Sequence, residues 1–437
     1  MLNLLNRLFK LPENGTNVRT ELIAGLTTFA TMVYIVAVIP GMLSKGGLPF
    51  SAALTVTLVM TVLTTLAMGL YTNRPFVLGP GLGSAAIFSY TLLGDGVPLS
   101  IASGIVFISG VLFMLVSFLG IRDFIVRVIP QSVKVSVGVG IGLFIALLGF
   151  KQAGIVVANA KKNVLVFGDL NAMGPMLAMV GLFLIMLFTA RRVKGGIILA
   201  ILLVTAIGIP LGVTKVPESL FAMPGSMDGM VFELDIMGAL DVKYLPFLLA
   251  FFIPDFFSTL GTLLGVGGRA GYLDDKGNLP GIEKNFHVDS SATTFGALFS
   301  CPVLTTYLES SAGVEAGGRT GLTAVVAALG FALMLFLSPL ASMIPTVATA
   351  PALIFIGISM MASMKKVNYD DITEYLPAFF CVAMTIFSFN SGNGIAAAMV
   401  VYAFLKLATG RWREDHWSVY AIAVAMIYYF HVVASAH

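Results

Sequence analysis

The sequence is poor in charge. Lys, Arg, Asp and Glu make up 11% of its 437 residues, where a soluble domain carries about 25%. No long polar stretch interrupts it, which leaves no room for a separate soluble domain. It has two cysteines, Cys301 and Cys381, both inside apolar segments. Two such thiols pack as small hydrophobes more readily than they bridge. Its four histidines, His287, His416, His431 and His437, are scattered and form no metal-ligand pattern. No P-loop, calcium-loop or zinc spacing is present, and no histidine stands near a candidate nucleophilic Ser or Cys. These absences argue against a metal site, a cofactor and an enzyme. The net charge of +3 is too small to be a nucleic-acid signal.

What is there is apolar. Hydrophobic residues make up 58% of the chain, and the mean hydropathy is +0.96. A soluble core cannot absorb this much apolar sequence, so the chain reads as an all-α polytopic membrane protein in a lipid bilayer. Residues 1–19 open it with Leu2, Leu5, Leu8 and Phe9 on one helical face, an interfacial pattern. Thr20 is expected to cap the first span, with Glu21 in its first turn. Apolar spans are then expected at roughly 22–43, 51–71, 76–94, 99–121, 131–150, 173–190 and 195–214. A second set is expected at roughly 245–267, 290–301, 305–316, 321–342, 349–364, 373–390 and 393–409. The stretch 417–435 is either a further span or an interfacial helix.

With a cytoplasmic N-terminus, roughly 18 of the Lys and Arg fall on the cytoplasmic side, Arg122, Arg127, Lys194 and Lys276 among them. About six, including Lys161 and Lys162, fall opposite, which supports the orientation. Two sets of seven spans have opposite topology because seven is odd. They match in kind. The third span holds Gly79-Pro80-Gly81-Leu82-Gly83, and the tenth holds Cys301-Pro302 before Glu309-Ser310-Ser311-Ala312-Gly313. Spans five and twelve both follow Ile-Pro, at Ile129-Pro130 and Ile344-Pro345. This is a 7+7 inverted repeat with broken spans 3 and 10, the pattern of a secondary transporter with a mid-membrane site. Gly138, Gly140 and Gly142 are expected to serve close helix packing instead.

An acid at mid-bilayer costs about 2.5–3.5 kcal/mol on insertion scales, so Glu309 is a functional candidate by default. A carboxylate at a half-helix start can accept adjacent N–H groups of a flat, neutral heterocycle. Asp255 lies in the eighth span, with Ser258 expected one turn on along the same face. It reads either as a buried proton carrier or as an acid near the start of a helix that Pro254 opens. Asp289, before Ser290 and Ser291, reads as an N-cap. Thr27, Thr28, Thr31 and Tyr34 read as ordinary helix hydroxyls, and Asp274-Asp275-Lys276-Gly277 as a turn.

Several stretches together carry a resemblance. They are Asn14-Gly15-Thr16-Asn17-Val18-Arg19-Thr20-Glu21, Pro80-Gly81-Leu82-Gly83, Thr259-Leu260-Gly261-Thr262, Thr305-Thr306-Tyr307-Leu308-Glu309-Ser310-Ser311 and Gly317-Gly318-Arg319-Thr320-Gly321. At these residues the chain resembles the adenine/guanine/hypoxanthine permeases, the azaguanine-type branch of the nucleobase–ascorbate transporter group. The resemblance implies a core domain (20–121 and 244–342), a gate domain (122–243 and 343–410) and a C-terminal apolar segment (411–437). It implies uptake of a purine base with protons across a bacterial inner membrane. Glu309 would be the substrate-binding glutamate, with Thr28, Gly83, Ser84, Ala85, Phe252, Asp255, Ser258, Tyr307 and Leu308 around it. Asp255 and Glu309 would be the proton-coupling groups, and a homodimer is the assembly to test. Ala85 stands where the family commonly has Asn, Ser258 where it has Asp, and Cys301-Pro302-Val303-Leu304 where it has a Ser/Thr-rich strand. Asp255 is the candidate to replace the acid lost at Ser258. The alternatives are another neutral heterocycle (uracil or a nucleoside), a small anion on the same fold, or a membrane sensor that transports nothing.

Overall fold

The computed structural model describes residues 2–119, 130–159, 164–193, 195–217, 219–274, 279–388 and 391–435. Arg122, Arg127, Ile129, Lys161, Lys162, Lys194, Asp275, Lys276, Gly277 and His437, used above, lie outside the described residues.

After α1 (Leu2–Leu8), the first apolar segment forms two helices, α2 (Val18–Met32) and α3 (Ile35–Lys45), followed by α4 (Phe50–Thr72). Strand β1 (Leu78–Pro80) then runs into α5 (Leu82–Ala86), which continues as a π-helical stretch over Ile87–Leu93. Next come α6 (Leu99–Phe118), α7 (Gln131–Gln152), the hairpin β2 (Val156–Asn159) and β3 (Val164–Phe167), α8 (Met173–Ala190) and α9 (Gly196–Gly208). A four-residue α10 (Ile236–Ala239) leads to α11 (Leu245–Arg269) and α12 (Ile282–Ala297). Strand β4 (Leu304–Thr306) and α13 (Ser310–Glu315) mirror the earlier break. The chain ends with α14 (Gly321–Phe336), α15 (Ser338–Ser342), α16 (Thr346–Met360), α17 (Ile372–Phe387), α18 (Ser391–Ala408) and α19 (Trp417–Ser435). Among the described residues, seven helical stretches are long and apolar enough to cross a membrane, and shorter apolar helices lie between them.

The two broken spans meet. β1 pairs antiparallel with β4, Leu78 opposite Thr306 and Pro80 opposite Leu304. Proline biases the residue before it toward extended backbone, which suits Gly79-Pro80 to a strand. Extended backbone inside an apolar core must have its polar groups satisfied locally. Here it does. Gly81 N–H donates to the Val303 carbonyl (2.9 Å) and Tyr307 N–H to the Val77 carbonyl (2.9 Å). Val77 N–H donates to Ser310 Oγ (3.0 Å), and Leu78 N–H to Thr65 Oγ1 (3.1 Å).

The start of α2 differs from expectation. Its cap is Asn17, whose side chain accepts from Thr20 N–H (3.0 Å); Thr20 lies inside the helix. Glu21 is fully buried and serves a different helix. It accepts from the N–H groups of Arg319 (2.8 Å), Thr320 (3.4 Å) and Thr323 (3.1 Å), and from the Thr323 hydroxyl (2.6 Å). It therefore satisfies free donors at the N-terminus of α14, where the helix dipole also favours negative charge. Beside it, a Cβ on Gly313 would sit 2.1 Å from Thr28 Oγ1 and 2.8 Å from the Ala24 carbonyl oxygen. Glycine at 313 is what lets α2 and α13 touch.

Span nine also differs. Helix α12 begins at Ile282, so Asp289 is mid-helix and fully buried, and it caps nothing. Helix α11 begins at Leu245 with Pro254 inside it, so Asp255 is likewise internal, and the helix-opening reading of Pro254 falls. The packing role expected of the glycines in α7 holds at two of three positions. A Cβ on Gly142 would lie 2.6 Å from Met360 Cβ, and one on Gly140 would lie 3.1 Å from Thr385 Oγ1, whereas Gly138 meets open space. Both cysteines are buried and free.

The C-terminal helix runs back along its predecessor. At one end Lys406 meets Glu414 (2.7 Å) and the Tyr402 hydroxyl donates to Asp415 (2.9 Å). At the other, Tyr429 donates to Asn393 (2.7 Å). The stretch 417–435 thus packs antiparallel to α18 rather than lying apart from the helical body. The N-terminal face divides: Phe9 and Leu11 dock against Leu322 and Val326, while Leu8 is exposed.

Candidate functional site

Strands β1 and β4 end side by side, and each is followed by a short helix, α5 or α13. Glu309 sits at the N-cap position of α13. It is half-buried, and its Oε1 accepts from the Tyr34 hydroxyl (2.8 Å). Its Oε2 takes no hydrogen bond from another described residue. A carboxylate held on one side by a phenol, with its other oxygen open, can accept further N–H donors.

Tyr34 was grouped above with the ordinary helix hydroxyls. That default holds for Thr27, Thr28 and Thr31, which donate to the carbonyls of Ile23, Ala24 and Thr27 one turn back. It fails for Tyr34, which lies at the break between α2 and α3. Residues 30–37 carry neither glycine nor proline, so no sequence signal marked that break. Replacing Tyr34 with Phe removes one hydrogen bond to a charged group, worth roughly 1.5–3 kcal/mol. Tyr34→Phe is expected to weaken ligand binding about tenfold, measured as a right-shifted ligand-dependent thermal stabilisation; unchanged affinity would remove Tyr34 from the site.

The other candidates fall into three groups. On the first-half side, Ser84 donates to the Gly81 carbonyl (2.8 Å) and reaches the Val303 carbonyl oxygen (3.1 Å), so it ties the two breaks together. Ala85 is fully buried, and a Cβ on Gly83 would approach Ile141 of α7 to 2.9 Å. On the second-half side, the Tyr307 hydroxyl donates to the Pro80 carbonyl (2.5 Å) and holds the strands in register. Leu308, beside Glu309, is 59% exposed. Phe252 belongs to neither. It is buried in an aromatic group with Phe113 and Phe256, so its role is packing.

Asp255 is buried, whereas Ser258 is exposed. The two do not share a face; Thr259, four residues on, shares that of Asp255. Thr259 donates to Asp289 (2.6 Å) and Thr306 donates to the same carboxylate (2.8 Å). Thr293 lies 3.2 Å from Asp255 Oδ2. Asp289 therefore stands with Asp255 behind β4, a placement the cap reading missed. The signal was present as an Asp-x-x-x-Thr spacing in both helices, Asp255/Thr259 and Asp289/Thr293. Among the described residues no group of three or more His, Cys, Asp or Glu could hold a metal ion.

Two short strands crossing at the break of two helices, with a carboxylate at one helix start, describe a polytopic membrane transporter scaffold. The fold is similar to solved transporters. The transmembrane domain of the cyanobacterial bicarbonate transporter BicA aligns with a TM-score of 0.62 at 18% identity, covering 87% of this chain and 97% of that one. SLC26A9 aligns with a TM-score of 0.63 at 13% identity, covering 89% and 66%. Residues 19–407 match the Permease family model, of xanthine/uracil permease type, and the chain belongs to that family. Among its relatives, MJ0326 of Methanocaldococcus jannaschii is 42% identical over 97% of both chains. The adenine permease AdeQ of Escherichia coli is 38% identical, covering 96% of this chain and 94% of that one. The guanine/hypoxanthine permease PbuO of Bacillus subtilis is 36% identical, covering 95% and 98%. The chain is a multi-pass membrane protein.

Proposed function

We propose that the protein imports purine nucleobases across the bacterial inner membrane by proton symport, with its N-terminus in the cytoplasm. The observation that carries this reading is Glu309, with one oxygen on Tyr34 and the other open at the junction of two broken helices. A purine presents ring and exocyclic N–H groups that a carboxylate can accept in pairs. The names of the relatives AdeQ and PbuO support a purine. Gly83, Ser84 and Ala85 at the start of α5 would form the opposite wall, with Thr28 and Leu308 beside it. Ser258, Gly261 and Gly265 form an exposed stripe of small residues along α11 toward its C-terminal end, which supports a path to the cytoplasmic side.

Transport would follow alternating access, with the core (20–121 and 244–342) moving against the gate (122–243 and 343–410). Fourteen spans in a 7+7 repeat is the topology this needs. Asp255 would carry the coupled proton, with Glu309 the second titrating group, and a homodimer is the proposed assembly.

The fold likeness to anion carriers favours one competing reading, a small anion held between half-helix N-termini. Glu309 opposes it through like-charge repulsion. A thermal-shift screen of purified protein against nucleobases, nucleosides and small anions separates the two. Adenine, guanine, hypoxanthine or xanthine is expected to raise the melting temperature, and bicarbonate and sulfate are not. Stabilisation by an anion alone would overturn the purine reading.

A further inference from the structure

Behind β4, away from Glu309, two facing helices carry the same motif in opposite directions. α11 presents Asp255 and Thr259; α12 presents Asp289 and Thr293. Each aspartate meets the threonine of the other helix, Thr259 with Asp289 and Thr293 with Asp255. Strand β4 closes the group. Thr306 donates to Asp289 (2.8 Å), Thr305 lies 3.1 Å from Thr259, and the Leu304 carbonyl accepts from Thr293 (2.8 Å).

Counting hydrogens bears on the charges. Asp289 accepts one hydroxyl hydrogen on each oxygen, the arrangement of an ionised carboxylate. The Thr259 hydrogen is on Asp289, so the hydrogen between Thr259 and Thr305 comes from Thr305. Thr293 has one hydroxyl hydrogen. Its oxygen lies 2.8 Å from the Leu304 carbonyl oxygen, which can only accept, and 3.2 Å from Asp255 Oδ2. With that hydrogen on the carbonyl at the shorter distance, a proton on the Asp255 carboxyl would complete the 3.2 Å contact, in which Thr293 is otherwise the donor. Asp255 Oδ1 is buried with no hydrogen-bond partner. A neutral acid tolerates this better than a carboxylate, for which the 3.2 Å contact with Thr293 is weak compensation.

We infer that Asp255 and Asp289 form a pair holding one proton, carried by Asp255, and that its loss is transmitted to the substrate site through β4. This rests on the proton-symport reading and changes it in one respect: the partner of Asp255 is Asp289, not Glu309. Removing the proton places two charges behind the strand. The Thr293 hydrogen is then drawn from the Leu304 carbonyl to Asp255, which removes one of the bonds holding the strand that leads through Tyr307 and Leu308 to Glu309. No other ionisable group compensates. α6 carries none, and α4 only Tyr71. α7 carries Lys134 and Lys151 near its two ends. Lys406 of α18 is paired with Glu414, Arg269 of α11 with Glu315 of α13, and Lys243, just before α11, with Asp241. On α12, His287 stacks on Phe118, and Glu283 and Lys284 lie in its first turn. Tyr402, Tyr420, Tyr428, Tyr429 and His431 lie on α18 and α19, and Tyr244 just before α11. Tyr307 donates to Pro80, Tyr34 holds Glu309, and Cys301 is a buried thiol. Among the described residues none bonds either aspartate.

The test uses full-length protein in liposomes. Infrared spectra are expected to show a buried carboxylic-acid C=O band that Asp255→Asn abolishes, Thr293→Val shifts and Asp289→Asn retains. Accumulation of labelled hypoxanthine driven by a proton gradient is expected to fall at least tenfold in both Asn variants. The pH dependence of base affinity is expected to flatten in Asp255→Asn. Loss of the band in Asp289→Asn but not in Asp255→Asn would overturn the assignment. So would accumulation that follows sodium at fixed pH, which would make the pair a metal site. If no base stabilises the wild-type protein, the purine reading fails on its own, and the infrared bands still decide the proton's place.

Discussion

Glu309→Gln is expected to lower purine uptake by about 100-fold or more, with the protein still inserted and folded. The carboxylate offers acceptors only, whereas the amide offers one acceptor oxygen and an NH2 group. The variant therefore loses one charge-assisted bond and turns a donor toward the donors of the base. Each hydrogen bond to a charged group is worth roughly 1.5–3 kcal/mol, and a misplaced buried donor costs a similar amount, so the two together account for about two or more decades. The Tyr34 hydroxyl can still donate to the amide oxygen, which is why folding should survive. Uptake of labelled hypoxanthine, normalised to protein in the membrane, is the measurement. Near-normal uptake would remove Glu309 from the site.

Glu21→Ala is expected to be the most damaging single change outside the site. It strips three backbone N–H groups and one hydroxyl at the start of α14 of their acceptor. Unsatisfied buried donors cost roughly 1–3 kcal/mol each, and partial rescue by relaxation leaves a loss of about 3–5 kcal/mol. The purified variant should melt several degrees lower than wild type. Glu21→Gln should recover part of the loss, because one acceptor oxygen remains. If Glu21→Ala melts like wild type, the carboxylate is not what holds α14 to α2.

These residues show what could be read from sequence and what could not. Most helices follow hydropathy closely. Met173–Ala190 begins and ends where the apolar run does, and Phe50–Thr72 and Leu245–Arg269 nearly so. The two breaks were visible because proline and glycine interrupt apolar runs, and Glu309 because an acid in such a run is costly. Helix α12 was not. Its first turns, Ile282-Glu283-Lys284-Asn285, are polar, and its inner face carries Asp289, Ser290 and Thr293 toward partners on other elements or its own backbone. Hydropathy counts those residues as loop because it cannot see the groups that satisfy them. Glu21 was hidden for the same reason: its four donors are about 300 positions away. Tyr34 was misread because bonding back to the helix's own carbonyls is a property of short Ser and Thr hydroxyls, whereas a phenol hydroxyl reaches past its own backbone, here to Glu309. Asp255 was found, but it was paired with Glu309 as a proton-coupling group, while the acid that stands with it behind β4 is Asp289 of the next helix.

The central claim is that this permease carries a purine. It is tested most directly by reconstituting the purified protein into liposomes loaded with unlabelled hypoxanthine and following entry of labelled hypoxanthine. Exchange should depend on the protein, compete with adenine or guanine, ignore bicarbonate and sulfate, and vanish in Glu309→Gln. Exchange blocked by bicarbonate or sulfate but indifferent to purines, or unaffected by Glu309→Gln, would contradict it.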